Sequence, residues 1–99
     1  MTDLGEAHGV PTDEGVVAFL GMRYAEPPLG SLRFAPPRAL ETWGGPVEAD
    51  TFGPACPQSN VEPSDTINAR IDEDCLTLNV WTPAADAGRR AVMFWIHGG

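Results

Sequence analysis

EDCLTLNVWTP, residues 73–83, is the stretch on which the reading of the fold turns. From Cys75 to Trp81 its side chains alternate. Leu76, Leu78 and Val80 fall on one side, and Thr77, Asn79 and Trp81 on the other. A period of two is that of a strand with one face toward a core, so the segment is expected to be a half-buried strand. Pro83 withholds a backbone donor and ends it, and Ala84 to Gly88 reads as a turn.

Beyond that turn lies AVMFWIHGG, residues 91–99. Ala91 to Ile96 is apolar on both faces and is bounded by a turn and by glycine. That pattern predicts a strand covered on both sides. A strand of this kind needs covering elements, so the expectation is an incomplete fold. An uncovered apolar edge is also an aggregation hazard.

Toward the N-terminus, Val16 to Tyr24 (VVAFLGMRY) starts apolar and β-branched and contains Gly21. It predicts a short strand with an irregular end. Ala25 to Pro46 holds Pro27, Pro28, Pro36, Pro37 and Pro46, together with Gly30, Gly44 and Gly45. So many fixed φ angles and missing donors exclude a long helix and a central strand. The loop nevertheless keeps Leu29, Leu32, Phe34, Leu40 and Trp43, so it is expected to pack over a core. Phe52 to Ile71 reads as an exposed loop, and Met1 to Glu14 as a loose entry segment.

The 99 residues allow one small domain at most. Six arginines and no lysine face fourteen acids, and the net charge of −8 argues against nucleic acid or an anionic membrane as partner. The acids are scattered, so the simplest reading of the charge is solubility. The start, MTDLGEAHGV, has neither a basic region nor an apolar run, and no stretch approaches the ~20 apolar residues of a membrane span. The expectation is a cytoplasmic protein, or a secreted one if the start is misassigned. Cys56 and Cys75 bracket residues 57–74. They could close a disulfide or remain buried thiols, and no His/Cys cluster has metal-ligand spacing.

Three segments in order resemble the type-B carboxylesterase family, which includes cholinesterases and bacterial para-nitrobenzyl esterases. They are FLGMRYAEPPLGSLRFAPPRALETW (Phe19 to Trp43), EDCLTLNVWTP (Glu73 to Pro83) and VMFWIHGG (Val92 to Gly99). The resemblance implies the N-terminal, mostly β and loop portion of an α/β-hydrolase fold, spanning 1–99 as an incomplete α/β domain. It implies a carboxylic ester hydrolase acting on small-molecule esters, with no cofactor and no metal. By resemblance Gly99 donates its amide to an oxyanion, Gly98 shapes the turn, and His97 positions the strand end. Glycine suits such a turn because nothing obstructs the approach of a reacting carbonyl. The resemblance also implies a Cys56–Cys75 disulfide and an Arg33–Glu73 ion pair tying the proline-rich loop to the strand that follows Cys75. That pair would be costly to break if partly buried, and minor if solvated.

No Gly-x-Ser-x-Gly frame surrounds Ser31, Ser59 or Ser64, and the histidines are His8 and His97. The fragment is therefore expected to carry part of an oxyanion hole and none of a Ser-His-acid triad. A non-catalytic binding relative of the same fold, or an inactive truncated product, is the alternative. Trp43, Trp81 and Trp95 are expected in the core rather than in a pocket. No Trp lies between the two cysteines, where cholinesterases keep a cation-binding one, so choline esters gain no support.

Overall fold

The computed structural model describes residues 1–59 and 70–98. Among them, four strands form one sheet in the order β3-β1-β2-β4: β1 (Ala7–Pro11), β2 (Val17–Arg23), β3 (Val47–Ala49) and β4 (Thr77–Thr82). β2 pairs antiparallel with both β1 and β4, while β1 and β3 run parallel. The strand expected after Cys75 is β4, and the one expected from Val16 is β2.

The irregular end foreseen for β2 is a bulge. Its register against β4 shifts between Phe19 and Met22. Gly21 sits there at φ +65°, in the left-handed region that a side chain disfavours. The Gly21 N–H is satisfied by Asn79 Oδ1 of β4 at 2.9 Å, so the bulge leaves no orphaned donor. The backbone of Thr51 to Gly53 crosses directly over Gly21, and a Cβ there would lie 2.4 Å from the Thr51 carbonyl oxygen.

Two strands depart from the sequence reading. Met1 to Glu14 is not simply loose: it contains β1, and β3 lies just beyond the proline-rich loop. Neither AHGVP nor VEA has a strand pattern of its own. Each is a strand because it has a neighbour, with Ala7, His8 and Gly9 opposite Val47, Glu48 and Ala49. Gly9 allows close approach, since a Cβ there would lie 2.6 Å from the Ala18 carbonyl oxygen.

The proline-rich segment forms neither long helix nor central strand; it contains one short 3-10 turn, Gly30–Leu32. Its neck is closed by Glu26 N–H donating to the Arg38 carbonyl at 2.8 Å and by the Ala25–Ala39 bridge. It does not cover a core as expected. Leu29 is half exposed, and Phe34 is 99% exposed on a backbone of positive φ. Among the described residues only Ala18, Ala25 and Ala49 are fully buried hydrophobics. A single sheet has one layer, and large side chains are buried only between two layers.

The same reason corrects the reading of Ala91 to Ile96. The run forms no strand, and Val92, Met93, Phe94, Trp95 and Ile96 are all strongly exposed. A strand exists only against a partner edge, and no described strand lies beside this run. Trp81 and Trp95 are likewise exposed, and Trp43 is half-buried, so the tryptophans do not form a core.

The two glycines Gly21 and Gly15 separate strain from crowding. Both have positive φ, but Gly15 faces open space. Gly15→Ala is expected to cost only the left-handed strain, about 1–2 kcal/mol. Gly21→Ala should add about 1–3 kcal/mol of overpacking against the 51–53 backbone. Urea unfolding of the two variants checks the difference, and equal costs would refute it.

Candidate functional site

The polar contacts of the chain concentrate where the proline-rich loop meets the entry to β4. Asp74 lies one residue before Cys75 and is only 21% exposed at its side chain. Arg23, the last residue of β2, grips it with a forked contact: Nε donates to Oδ1 at 2.9 Å and to Oδ2 at 3.1 Å, and Nη2 also meets Oδ2. The carboxylate holds the Arg23 guanidinium more firmly charged than usual. The Trp43 indole N–H donates to the Arg23 carbonyl at 3.0 Å. This knot escaped the sequence reading, although both residues lie inside the quoted motifs. Arginine and aspartate 51 positions apart carry no local signature.

The neighbouring residue Glu73 meets Arg33. Arg33 Nη1 lies 2.5 Å from Glu73 Oε1, and the two side chains are 46% and 39% exposed. At that exposure solvent screens the pair, and its contribution falls under ~1 kcal/mol. It is the solvated version of the two alternatives. The Arg33 guanidinium also stands 5.3 Å from the centre of the Phe34 ring, a cation–π distance.

Cys56 and Cys75 are joined by a disulfide with Cα atoms 5.1 Å apart. Beside it, Ala55 N–H donates to the Arg70 carbonyl at 2.9 Å, and Asp72 N–H to the Ala55 carbonyl at 3.1 Å. The ends of the enclosed loop are thus tied by covalent and backbone bonds together. Ser64 and most of that loop lie outside the described residues.

Beneath the proline-rich loop is a cleft of about 490 Å³, bordered by β2, β3, Glu26, Leu40, Thr42 and Trp43. His97 and Gly98 do not line it. They sit at the far end of the exposed 92–96 run, and a Cβ on Gly98 would meet nothing within 4 Å. Gly99 lies outside the described residues. The structure therefore gathers Arg33, Glu73, Cys56 and Cys75 into one region, while His97 and Gly98 are exposed and outside the cleft lining. Ser31 and Ser59 are both exposed, and His8 bonds Glu6 and Glu48 rather than either serine. The described residues hold no group of three or more His, Cys, Asp or Glu placed to bind a metal ion. No helix among them is long and apolar enough to cross a membrane.

The chain as a whole has counterparts among known proteins. The model of the carboxylesterase family matches residues 3–99. The chain belongs to the carboxylesterase family. Phenmedipham hydrolase of Pseudarthrobacter oxydans is 45% identical over 93 residues, which cover 88% of this chain and 19% of that protein. Liver carboxylesterase 1 of Oryctolagus cuniculus is 43% identical, over 85% of this chain and 17% of that protein. Among solved structures, a carboxylesterase of Geobacillus stearothermophilus superposes with a TM-score of 0.79 at 42% identity, over 99% of this chain and 19% of the other. The carboxylesterase-family chain is thus an N-terminal, mostly strand and loop part of an α/β-hydrolase fold, as its motifs imply. It spans about a fifth of the length of the relatives it matches.

Two changes rank the ties at the junction. The Cys56→Ser/Cys75→Ser double variant is expected to lose about 3 kcal/mol, because the open loop regains entropy in the unfolded chain. Arg33→Ala should lose less than ~1 kcal/mol. Urea denaturation measures both, and an Arg33→Ala cost equal to that of the disulfide would contradict the ranking.

Proposed function

We propose that this chain is part of a serine carboxylesterase and that it supplies part of the oxyanion hole. In such an enzyme a serine hydroxyl attacks the ester carbonyl, and negative charge moves onto the carbonyl oxygen. Preorganised backbone N–H groups stabilise that charge, and the acyl-serine is then released by water. The nucleophile and its base and acid would come from polypeptide outside these 99 residues, which hold no Gly-x-Ser-x-Gly frame. Gly99 would donate its amide, Gly98 would let the backbone turn toward the carbonyl, and His97 would set the end of the apolar run. Metal and cofactor are unnecessary for this chemistry, since the nucleophile, base and amide donors suffice.

The observation that carries the reading is the family match across residues 3–99, which includes His97-Gly98-Gly99. The open space about Gly98 supports it, because a reacting carbonyl needs that approach unobstructed. The carboxylesterases among the relatives support small-molecule esters as substrates.

The test is a chimera in which these 99 residues replace the matching N-terminal fifth of the Geobacillus stearothermophilus carboxylesterase. The chimera should hydrolyse a para-nitrophenyl ester, and the 99-residue chain alone should not exceed a heat-treated control. Gly99→Pro in the chimera removes one N–H donor and should lower kcat by about 10²–10³ with KM little changed. A folded but inert chimera would overturn the proposal and favour a binding role for the fold. So would turnover by the 99-residue chain alone.

A further inference from the structure

His8 is a titratable group that the proposed chemistry does not use. It lies on β1 directly opposite Glu48 of β3 in the parallel register. Its Nδ1 is 2.8 Å from Glu48 Oε1, and its Nε2 is 3.0 Å from Glu6 Oε1. Each ring nitrogen therefore faces a different carboxylate. A carboxylate only accepts, so both nitrogens must carry a proton for both contacts to be hydrogen bonds. A neutral ring has one N–H, and its other nitrogen would turn a lone pair toward an anion. The arrangement belongs to the imidazolium.

We propose that His8 is a proton-dependent latch that holds β3 on the edge of the sheet. With both nitrogens protonated, the ring bridges Glu6 at the entry to β1 and Glu48 on β3. When one proton leaves, a contact is lost and the two carboxylates are no longer screened from one another. β2 adds no charge to the ring, because it is apolar from Val17 to Met22 and its Arg23 is turned to Asp74. The hydrogen bonds from Glu6 and then Glu48 raise the His8 pKa above its ordinary 6.5, with Coulomb attraction to both adding to the effect. The sign follows. A raised folded-state value contributes grip that is complete below pH 6.5 and is lost as pH rises through the folded pKa.

β3 is the element suited to respond. It has three residues and lies at an edge, where local opening is cheapest. Val47, Glu48 and Ala49 also form one wall of the cleft under the proline-rich loop. Release of β3 would open that cleft and expose Ala49, which is 2% exposed when the strand is docked. The ring and its partners are exposed, so the latch should weaken with salt.

The experiment is an NMR titration of the chain carrying Phe94→Ser and Trp95→Ser, two exposed residues outside the sheet, to limit association. The His8 Cε1–H resonance should titrate above pH 6.5. The Val47, Glu48 and Ala49 amides should shift with the same midpoint, and their exchange protection should fall about two- to fivefold across it. Glu48→Gln and Glu6→Gln should each move the His8 midpoint down, whereas a merely structural Glu48 would leave it in place. In His8→Gln the three amides should no longer respond between pH 5 and 8. A His8 midpoint at or below 6.5, ladder amides indifferent to the titration, or no β1–β3 ladder at any pH would each overturn the proposal.

Discussion

The antiparallel pairing of β2 with β4 anchors the sheet on which the other described strands are placed. Among the described strands only β2 has an antiparallel neighbour on each side, so β1, and through it β3, hangs from it. The ladder is interrupted by one bulge, and the bulge is repaired within the same pair by Asn79 bonding the Gly21 amide. That repair also presents the Gly21 backbone to residues 51–53, which cross over it at a distance only glycine allows. The chain thereby passes directly over the bulge on its way to Cys56.

From that ladder the remaining ties follow in sequence. β4 is preceded by Glu73, Asp74 and Cys75, three consecutive residues that each hold a different segment. Glu73 meets the proline-rich loop through Arg33, Asp74 meets the end of β2 through Arg23, and Cys75 closes the 57–74 loop. They differ in strength for simple physical reasons. The disulfide restricts the unfolded chain, the half-buried Asp74 is gripped by a forked guanidinium, and the Arg33–Glu73 pair is diluted by water. The first two family motifs thus build a framework, whereas the chemistry proposed for the protein would be carried by the third, at the end of the 92–99 segment.

The legibility of the site divides along the same line. EDCLTLNVWTP announced its strand because alternation is a local property, and the cysteines and the Arg33–Glu73 pair followed from the family resemblance. Arg23–Asp74 and His8–Glu48 were not legible, since each joins residues whose spacing means nothing until the strands are paired. The run Ala91 to Ile96 shows the opposite failure. Its composition suits a buried strand, yet composition supplies no partner edge, and among the described residues the run stays exposed. His97 and Gly98 are consequently placed by sequence motif, while the described fold leaves them open to solvent.

By itself the sequence determined the family, the two strands with clear patterns, the proline-rich loop that neither helix nor central strand can occupy, and the absence of a Gly-x-Ser-x-Gly frame. These depend on local stereochemistry: alternation, fixed proline φ angles, and residue identity. Only the tertiary structure decided that AHGVP and VEA are strands, that the Gly21 amide needs Asn79, and that His8 stands between two carboxylates. Those features arise from pairing across the chain, where a hydrogen bond or an ion pair exists only once both of its halves have been brought together.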